Sequence, residues 1–464
     1  MKRSDPAVPE TEVKNDFTKG KVSSAILRMA IPLTIAQMVA VLYNIVDRMY
    51  IGHLTDPLAF AGLGLALPAV MIVSAFTNLY GGGGAPLCSI ERGKGDLARA
   101  SRIQGNAFAL LVGTGLLLTA LGLLLTRPLL FLLGASENTY PYASAYLRIY
   151  LLGTVFVMIS QGMNNFINSQ GFSRIGMVTV LIGAMLNLVL DPLFIFALDM
   201  GVEGAALATV LSQGVSAVWV LLFLRGKRVI LRLTLRDMRL EGQIVGRIFG
   251  LGLTGFIMAG TNAIVSAVGN NQLRRFGGDL YVGVMTALTT IHEVAVMVVQ
   301  GVTHGAQPVM GYNYGAGRGD RVRQGVRFIA AVSVGYALLV WALLMLLPGA
   351  AMRLMGSNAS LIEAGKRAMR IYFCAFPFMS LQFSGQSVFV GLGRAKQAMF
   401  FSLLRKVFLV TALMLILPPL RGLGANGVYL AEPISNVVGG SACFLTMYFT
   451  VYRKLGSASP AAEG

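Results

Sequence analysis

Long apolar stretches, each about as long as a membrane-crossing helix, recur along almost the whole chain. A window of about 20 mainly apolar residues can cross the hydrocarbon core of a bilayer as one helix. Charged residues make up only 12% of the 464 residues, whereas soluble proteins carry about 25%. The sequence therefore predicts an all-α integral membrane protein with twelve transmembrane helices. The expected windows are 25–51, 59–84, 100–126, 142–168, 176–199, 203–225, 247–272, 280–305, 325–348, 367–392, 397–418 and 424–452.

The basic residues are distributed unevenly between the loops on the two sides of these windows. If the N-terminus is cytoplasmic, most of the 38 Lys and Arg residues fall in cytoplasmic loops and tails, as the positive-inside rule requires. We therefore expect a multi-pass protein of the bacterial inner membrane with both termini in the cytoplasm. The same asymmetry explains the net charge of +18. No basic and aromatic recognition module accompanies it, so nucleic acid is not an expected partner.

Similar motifs recur in the two halves of the chain and indicate an internal duplication. GGGGAPLCSIERGKGDLARASR, from Gly81, resembles GVTHGAQPVMGYNYGAGRGDRVRQGVR, from Gly301. Further on, GVEGAALATVLSQ, from Gly201, resembles GANGVYLAEPISN, from Gly424. An even number of windows in each half places the two copies in the same orientation, which predicts two six-helix bundles around an axis along the membrane normal. The predicted parts are a solvated tail (1–24), a first lobe (25–225), a cytoplasmic linker (226–246), a second lobe (247–452) and a tail (453–464).

One membrane window contains the sequence NLVLDPLFIF, in which an aspartate is followed directly by a proline. Asn187 and Asp191 are four residues apart and share one face of a helix, while Pro192 leaves the carbonyl of Leu188 without its usual donor. An Asp at the centre of a bilayer costs about 2.5–3.5 kcal/mol on insertion scales, so it commonly marks an ion or proton pathway. These oxygens suit a proton or a small cation.

A second aspartate, Asp47, lies in the first window, four residues after Tyr43. Two close aspartates cannot both stay ionised without a cation, so one takes up a proton or both share an ion. The alternative is that Asp191 is shallow and hydrated, or that the aspartates pair with arginines such as Arg48. The second half holds no acid at the corresponding places, although Glu432 corresponds to Thr209.

The chain resembles the multidrug and toxic compound extrusion (MATE) family, and its DinF-like branch in particular. The resemblance extends from about Thr18 to Tyr452 and is carried by IPLTIAQMVAVLYNIVDRMYIG, by NLVLDPLFIF with GVEGAALATVLSQ, and by GAQPVMGYNYGAG. It implies twelve helices in two lobes around a cavity. It also implies alternating access, with inward Na+ or H+ driving the export of organic, often cationic, compounds.

The resemblance also implies roles for individual residues. The coupling cation, Na+ or H+, is expected at Asp47, Asn187, Asp191 and Thr209. Residues lining this site or the substrate cavity are expected to be Tyr43, Tyr146, Gln161 and Asn164, and helix bending is expected at Pro32 and Pro192. No prosthetic cofactor is implied. The roles of Glu293 and Glu432 stay open, and Arg405 and Lys406 are expected to snorkel to the cytoplasmic interface.

The predicted function is therefore multidrug efflux by a monomer whose partners are small organic substrates and membrane lipids. The nearer alternative is a flippase for lipid-linked oligosaccharides from the same superfamily, which would require a basic central cavity. An enzyme is not expected, because the sequence contains no nucleophile–base pair and no metal-ligand cluster at membrane depth. Na+ and H+ coupling are not distinguished, because the same oxygens serve either ion.

Overall fold

The structure is a computed structural model that describes residues 15–52, 57–355 and 359–456. Within these ranges the chain is almost entirely helical and contains no β-strand. Ten described helices are long and apolar enough to cross a membrane, and an eleventh span is a bent pair of helices. The predicted window 367–392 is occupied by two shorter helices in sequence. The all-α transmembrane fold is confirmed, and its helices are consistent with twelve spans.

The chain divides into two compact units, and the first consists of residues up to Lys19 together with Ile35–Gly255. Its first helix, α1 (Val22–Gly52), enters the unit at Ile35. The next helices are α2 (Pro57–Gly93), α3 (Leu97–Leu124), α4 (Thr126–Leu132), α5 (Tyr140–Leu152), α6 (Thr154–Ser169), α7 (Ser173–Pro192), α8 (Gly201–Arg225) and the beginning of α9 (Gly242–Gly277).

The second unit consists of Gly20–Thr34 and Phe256–Gly464. It contains the first part of α1 and the rest of α9. Its other helices are α10 (Asp279–Gly315), α11 (Gly319–Leu346), α12 (Pro348–Met355), α13 (Ala359–Phe373), α14 (Phe376–Gly391), α15 (Ala395–Leu403), α16 (Ala412–Ile416), α17 (Ala425–Ser435) and α18 (Ser441–Met447).

The unit limits differ from the predicted lobe limits at two helices. Residues 20–34 of α1 belong to the second unit, and the beginning of α9 belongs to the first. At both helices, a glycine lies at a close contact with the neighbouring helix of the same unit. A Cβ on Gly305 would lie 2.6 Å from Ala30 Cα, and one on Gly252 would lie 1.8 Å from the Leu79 carbonyl oxygen. Glycine therefore allows two backbones to approach closely, as is common between membrane helices.

Helix α1 is continuous through Pro32, where a bend was expected. The fourth span does bend, by 55°, between α5 and α6. The break lies at Gly153, where an added Cβ would come 2.4 Å from a methyl group of Val210 on α8. A glycine at this point lets the broken span pack closely against α8.

The described end of the N-terminal tail is packed, although the sequence predicts a solvated tail. Phe17 is 1% exposed and Asn15 is 7% exposed. Both lie against Gly171, which connects α6 to α7 with a φ of +91°. The positive φ favours glycine, and the missing side chain leaves room for the phenylalanine ring.

The predicted linker is also packed, and it lies on the first unit. Val229, Leu231 and Leu233 alternate with exposed or half-buried residues and are themselves buried. The Gln170 side chain accepts a hydrogen bond from the Leu231 N–H (2.8 Å), and Gln104 Nε2 donates to the Leu231 carbonyl (3.2 Å). Buried amides thus pair with the linker backbone, so this segment is not a free tether.

Candidate cation-binding site

The carboxyl group of Asp191 is buried in the last turn of α7. Asp191 is 1% exposed and Asn187 is 4% exposed. Asn187 Nδ2 donates a hydrogen bond to Asp191 Oδ1 at 3.1 Å, as their spacing of one helical turn predicts. A carboxyl group this enclosed has little direct contact with bulk water.

The helix changes its form immediately after this carboxylate. Helix α7 ends at Pro192, and Leu193–Ala197 continues as a π-helix. A π-helical segment places one more residue in a turn and is frequent at functional sites. Because Pro192 has no N–H, the Leu188 carbonyl loses its regular helical donor one turn below Asp191. The predicted irregularity of this helix is therefore present.

Asp47 lies beside Asp191. The two carboxyl groups lie close enough to interact and repel each other when both are ionised, although they come from α1 and α7. A hydrogen bond between two carboxyl groups needs a proton on one of them, and a small cation between them would relieve the same repulsion. The Arg48 side chain, the other partner considered for Asp47, lies outside the described residues.

Two tyrosines complete the surroundings of the carboxyl pair. Tyr43, one turn before Asp47, and Tyr146 on α5 both interact electrostatically with Asp47 and Asp191. Tyr146 is 7% exposed, and its ring stacks on that of Tyr150 with 6.2 Å between the ring centroids. The structure thus brings together four predicted residues, Tyr43, Asp47, Tyr146 and Asp191, with Asn187 hydrogen-bonded to the last.

The other predicted residues are placed elsewhere or make no direct contact with the pair. Thr209 is half-buried on α8, and no described hydrogen bond joins it to either aspartate. Gln161 is exposed on α6. Asn164 Nδ2 donates to the Gly176 carbonyl at 3.1 Å. Gly176 is about 22 Å from Asp191 along α7, at 1.5 Å per residue, so Asn164 is not part of the carboxyl cluster.

The ligand atoms that the side chains around Asp47 and Asp191 offer are oxygens of two carboxyl groups and two phenols, while the Asn187 amide presents its N–H to Asp191. No set of three or more His, Cys, Asp or Glu residues suited to a transition metal occurs among the described residues. Hard oxygen donors with few charges fit Na+ or a proton. The residues present therefore fit the coupling ion that the resemblance implies, without distinguishing the two.

The sequence analysis missed a buried charge cluster in the second unit. Arg405 NH1 lies 3.3 Å from Glu432 Oε1, and Lys406 Nζ lies 3.9 Å from the same oxygen. The side chains of Arg405 and Glu432 are 5% and 4% exposed. The expected snorkelling of Arg405 is wrong, because Glu432 on the neighbouring helix holds its guanidinium in the interior, and snorkelling of Lys406 stays a prediction. The sequence signal was the Glu432–Pro433 pair inside a membrane window.

This helical architecture, with a carboxyl pair buried between membrane helices, defines the class of protein as a multi-pass membrane transporter. The chain matches the MatE family model twice, over residues 32–193 and 256–416. It belongs to the MatE family, and the double match confirms the internal duplication.

Curated relatives and solved structures agree with this assignment over nearly the whole chain. The multidrug export protein MepA of Staphylococcus saprophyticus is 23% identical over 441 residues, covering 93% of this chain and 95% of the relative. A crystal structure of MATE in complex with MaD3S superposes with a TM-score of 0.90 at 24% identity, covering 96% of this chain and 99% of that chain. A MOP superfamily transporter from Pyrococcus furiosus also gives 0.90 at 24% identity, covering 98% and 100%.

Proposed function

We propose that the protein is a secondary active exporter of organic compounds, in which inward movement of Na+ or H+ drives efflux. The observation that carries this proposal is the contact between Asp47 and Asp191 inside membrane helices. The similarity to proteins named multidrug export protein MepA supports the substrate class. The distribution of basic residues favours an orientation with both termini in the cytoplasm.

In this mechanism the carboxyl pair exchanges its bound ion or proton as the transporter changes state. With the site loaded, the repulsion between Asp47 and Asp191 is neutralised and the surrounding helices can pack. With the site empty, the two charges repel each other or recruit water. Ion binding therefore has different free energies in the two states, which is the requirement for an ion to shift a conformational equilibrium.

The ion gradient can supply enough free energy for useful efflux. One charge moving through 100 mV is worth about 2.3 kcal/mol. At about 1.4 kcal/mol per tenfold change, this supports roughly a 40-fold gradient of a neutral substrate in a one-for-one exchange. A monovalent cationic substrate would cancel the electrical share, and the chemical ion gradient would then have to drive its export.

The deciding experiment uses the purified full-length chain in liposomes loaded with a fluorescent organic cation. A Na+ gradient and a pH gradient are imposed separately, each with the membrane potential clamped. Efflux driven by one gradient identifies the coupling ion. Substrate movement that is equally fast with neither gradient would refute secondary active transport.

A flippase for lipid-linked oligosaccharides stays the second candidate because of one feature of the second unit. An open cavity of about 680 Å³ is lined there by Lys366, Arg367 and Arg370, with Glu363 the acid among the lining residues. Such a lining suits an anionic headgroup. The same liposomes, supplied with a fluorescent lipid-linked pyrophosphate sugar, test this function directly. Gradient-independent movement of that lipid would favour the flippase.

A further inference from the structure

The buried cluster of Arg405, Lys406 and Glu432 carries more positive than negative charge. Two basic side chains share one carboxylate. Charged groups held away from water cost several kcal/mol each unless they are paired. Glu293 on α10, the helix that also carries the neighbouring His292, is exposed and makes no described contact with the cluster. The cluster therefore lacks one negative charge.

The neighbours of the cluster hold Arg405 in place and leave Lys406 more accessible. Arg405 NH1 donates to Asn436 Oδ1, and its aliphatic stem lies against Gly439, where an added Cβ would come 3.0 Å from Arg405 Cγ. Arg405 Nε has no hydrogen-bond acceptor among the described residues. Lys406 is 18% exposed, compared with 5% for Arg405.

Irregular helix geometry coincides with the cluster on both helices that form it. Arg405 and Lys406 lie in a π-helical segment, Leu404–Thr411, and Asn436 begins another, Asn436–Gly440. Pro433 directly follows Glu432. Irregular backbone at membrane depth is tolerated where the backbone is buried in protein or lines a cavity. Two such segments at one charge cluster favour a built binding site over a purely structural ion pair.

We propose that this cluster is an anion-binding subsite, in which Lys406 receives the carboxylate of an exported organic acid or zwitterion. Arg405 stays paired with Glu432 and Asn436 and adds its positive field behind Lys406. A bound carboxylate supplies the missing negative charge and an acceptor for the Lys406 N–H groups. The inference rests on the proposed export function and extends its substrate class from cations to carboxylates.

The internal duplication gives this subsite an independent rationale. Glu432 occupies the place in the second half that Thr209 occupies in the first, and the Asp47–Asp191 pair has no acidic counterpart there. The buried cluster of the first unit is therefore acidic, whereas the buried cluster of the second unit carries a net positive charge. Because the two buried clusters have opposite net charge, they suit ligands of opposite charge.

The test compares one dye in two forms, a zwitterionic rhodamine with a free carboxylate and its ethyl ester. Binding to the detergent-solubilised full chain is measured by fluorescence anisotropy, and efflux is measured in liposomes of neutral lipid. Lys406→Met should weaken binding of the acid about tenfold or more and leave the ester within about twofold. Lys406→Arg should retain preference for the acid. The matched control is Lys396→Met, an exposed lysine on α15.

Equal losses for acid and ester in Lys406→Met, or no loss for either, would overturn the inference. Titrating chloride at a fixed concentration of the acid distinguishes an inorganic anion from an organic one, because weaker binding of the acid, but not of the ester, at higher chloride supports competition at the same subsite. Acid binding that is abolished by removing chloride would assign the subsite to chloride and also overturn the proposal. Binding needs no ion gradient, so an absence of gradient-driven efflux refutes the proposed function separately.

Discussion

At the scale of single residues, the Asp47–Asp191 contact is the feature on which the proposed coupling depends. The Asp47 carboxyl group interacts with that of Asp191, to which Asn187 also donates a hydrogen bond. A buried pair of like groups is unstable when both are charged, so its occupancy must follow the ion or proton concentration. The pair acts as one unit, and its mutations should not be additive.

Asp47→Asn and Asp191→Asn should each abolish gradient-driven efflux while the protein still folds and inserts. An amide keeps the shape of the carboxyl group but cannot take a proton or neutralise a cation. The double variant should lose little more than either single variant, because both side chains serve one ion. Efflux in liposomes is the measurement, with Glu293→Gln, an exposed acid, as the control. Full gradient-driven transport in Asp191→Asn would disprove the cation site.

At the scale of helices, the irregular segments occur next to charged or polar side chains inside the membrane. Helix α7 becomes π-helical two residues after Asp191, and the segment after α15 is π-helical at Arg405. A regular α-helix satisfies its own backbone groups, whereas an irregular one leaves carbonyls available for side chains, water or ions. These apolar helices therefore hold charged side chains next to irregular backbone inside the membrane.

Pro192→Ala should yield a folded, more thermostable protein whose efflux depends more weakly on the coupling ion. The alanine N–H can bond to the Leu188 carbonyl, which stiffens the end of α7 and removes an acceptor near Asp191. The measurement is efflux against Na+ and proton concentration, together with the melting temperature. An unchanged half-saturating ion concentration would show that Pro192 serves packing alone.

Asn106→Leu should release the linker from the first unit. Asn106 Nδ2 donates to the carbonyls of Asp237 (3.2 Å) and Arg239 (2.9 Å), and its Oδ1 accepts from the Glu241 N–H (2.8 Å). Leaving buried backbone groups unpaired costs about 1–3 kcal/mol. Trypsin should therefore cut within 226–241 faster than in the parent protein.

The control for the linker experiment is Asn165→Leu. The described bond of Asn165 reaches only the Gln161 carbonyl on its own helix, at 3.4 Å. Its removal should leave the cleavage rate unchanged. Equal cleavage rates in Asn106→Leu and the parent would show that burial of Val229, Leu231 and Leu233 alone holds the linker.

At the scale of the whole molecule, the two halves share one fold but differ in the charge of their interiors. The first unit contains the Asp47–Asp191 pair, and the second contains the Arg405–Lys406–Glu432 cluster. Helices α1 and α9 each contribute residues to both units. The glycine contacts of these two helices are expected to be sensitive to added volume.

Gly252→Ala and Gly305→Ala should each lower the stability of the protein by about 1–3 kcal/mol, as overpacking does in tight cores. An added Cβ would overlap the Leu79 carbonyl in the first case and the Ala30 backbone in the second. Thermal unfolding in detergent is the measurement. Gly335→Ala in α11, with no atom within 4 Å of the added Cβ, should be neutral or stabilising. Similar stability for all three variants would refute this account.

The amino-acid sequence by itself determined the membrane fold, the duplication and the presence of two aspartates within membrane windows. Within apolar windows of bilayer length, the chain satisfies its backbone hydrogen bonds by forming helices. NLVLDPLFIF places a costly acid beside a proline within one window. The pairing of Asp191 with Asp47, the position of Asn164 near Gly176 and the burial of Arg405 were decided only by the tertiary structure. Helical periodicity specifies which residues share a face of one helix, whereas the partner of that face depends on how separate helices pack.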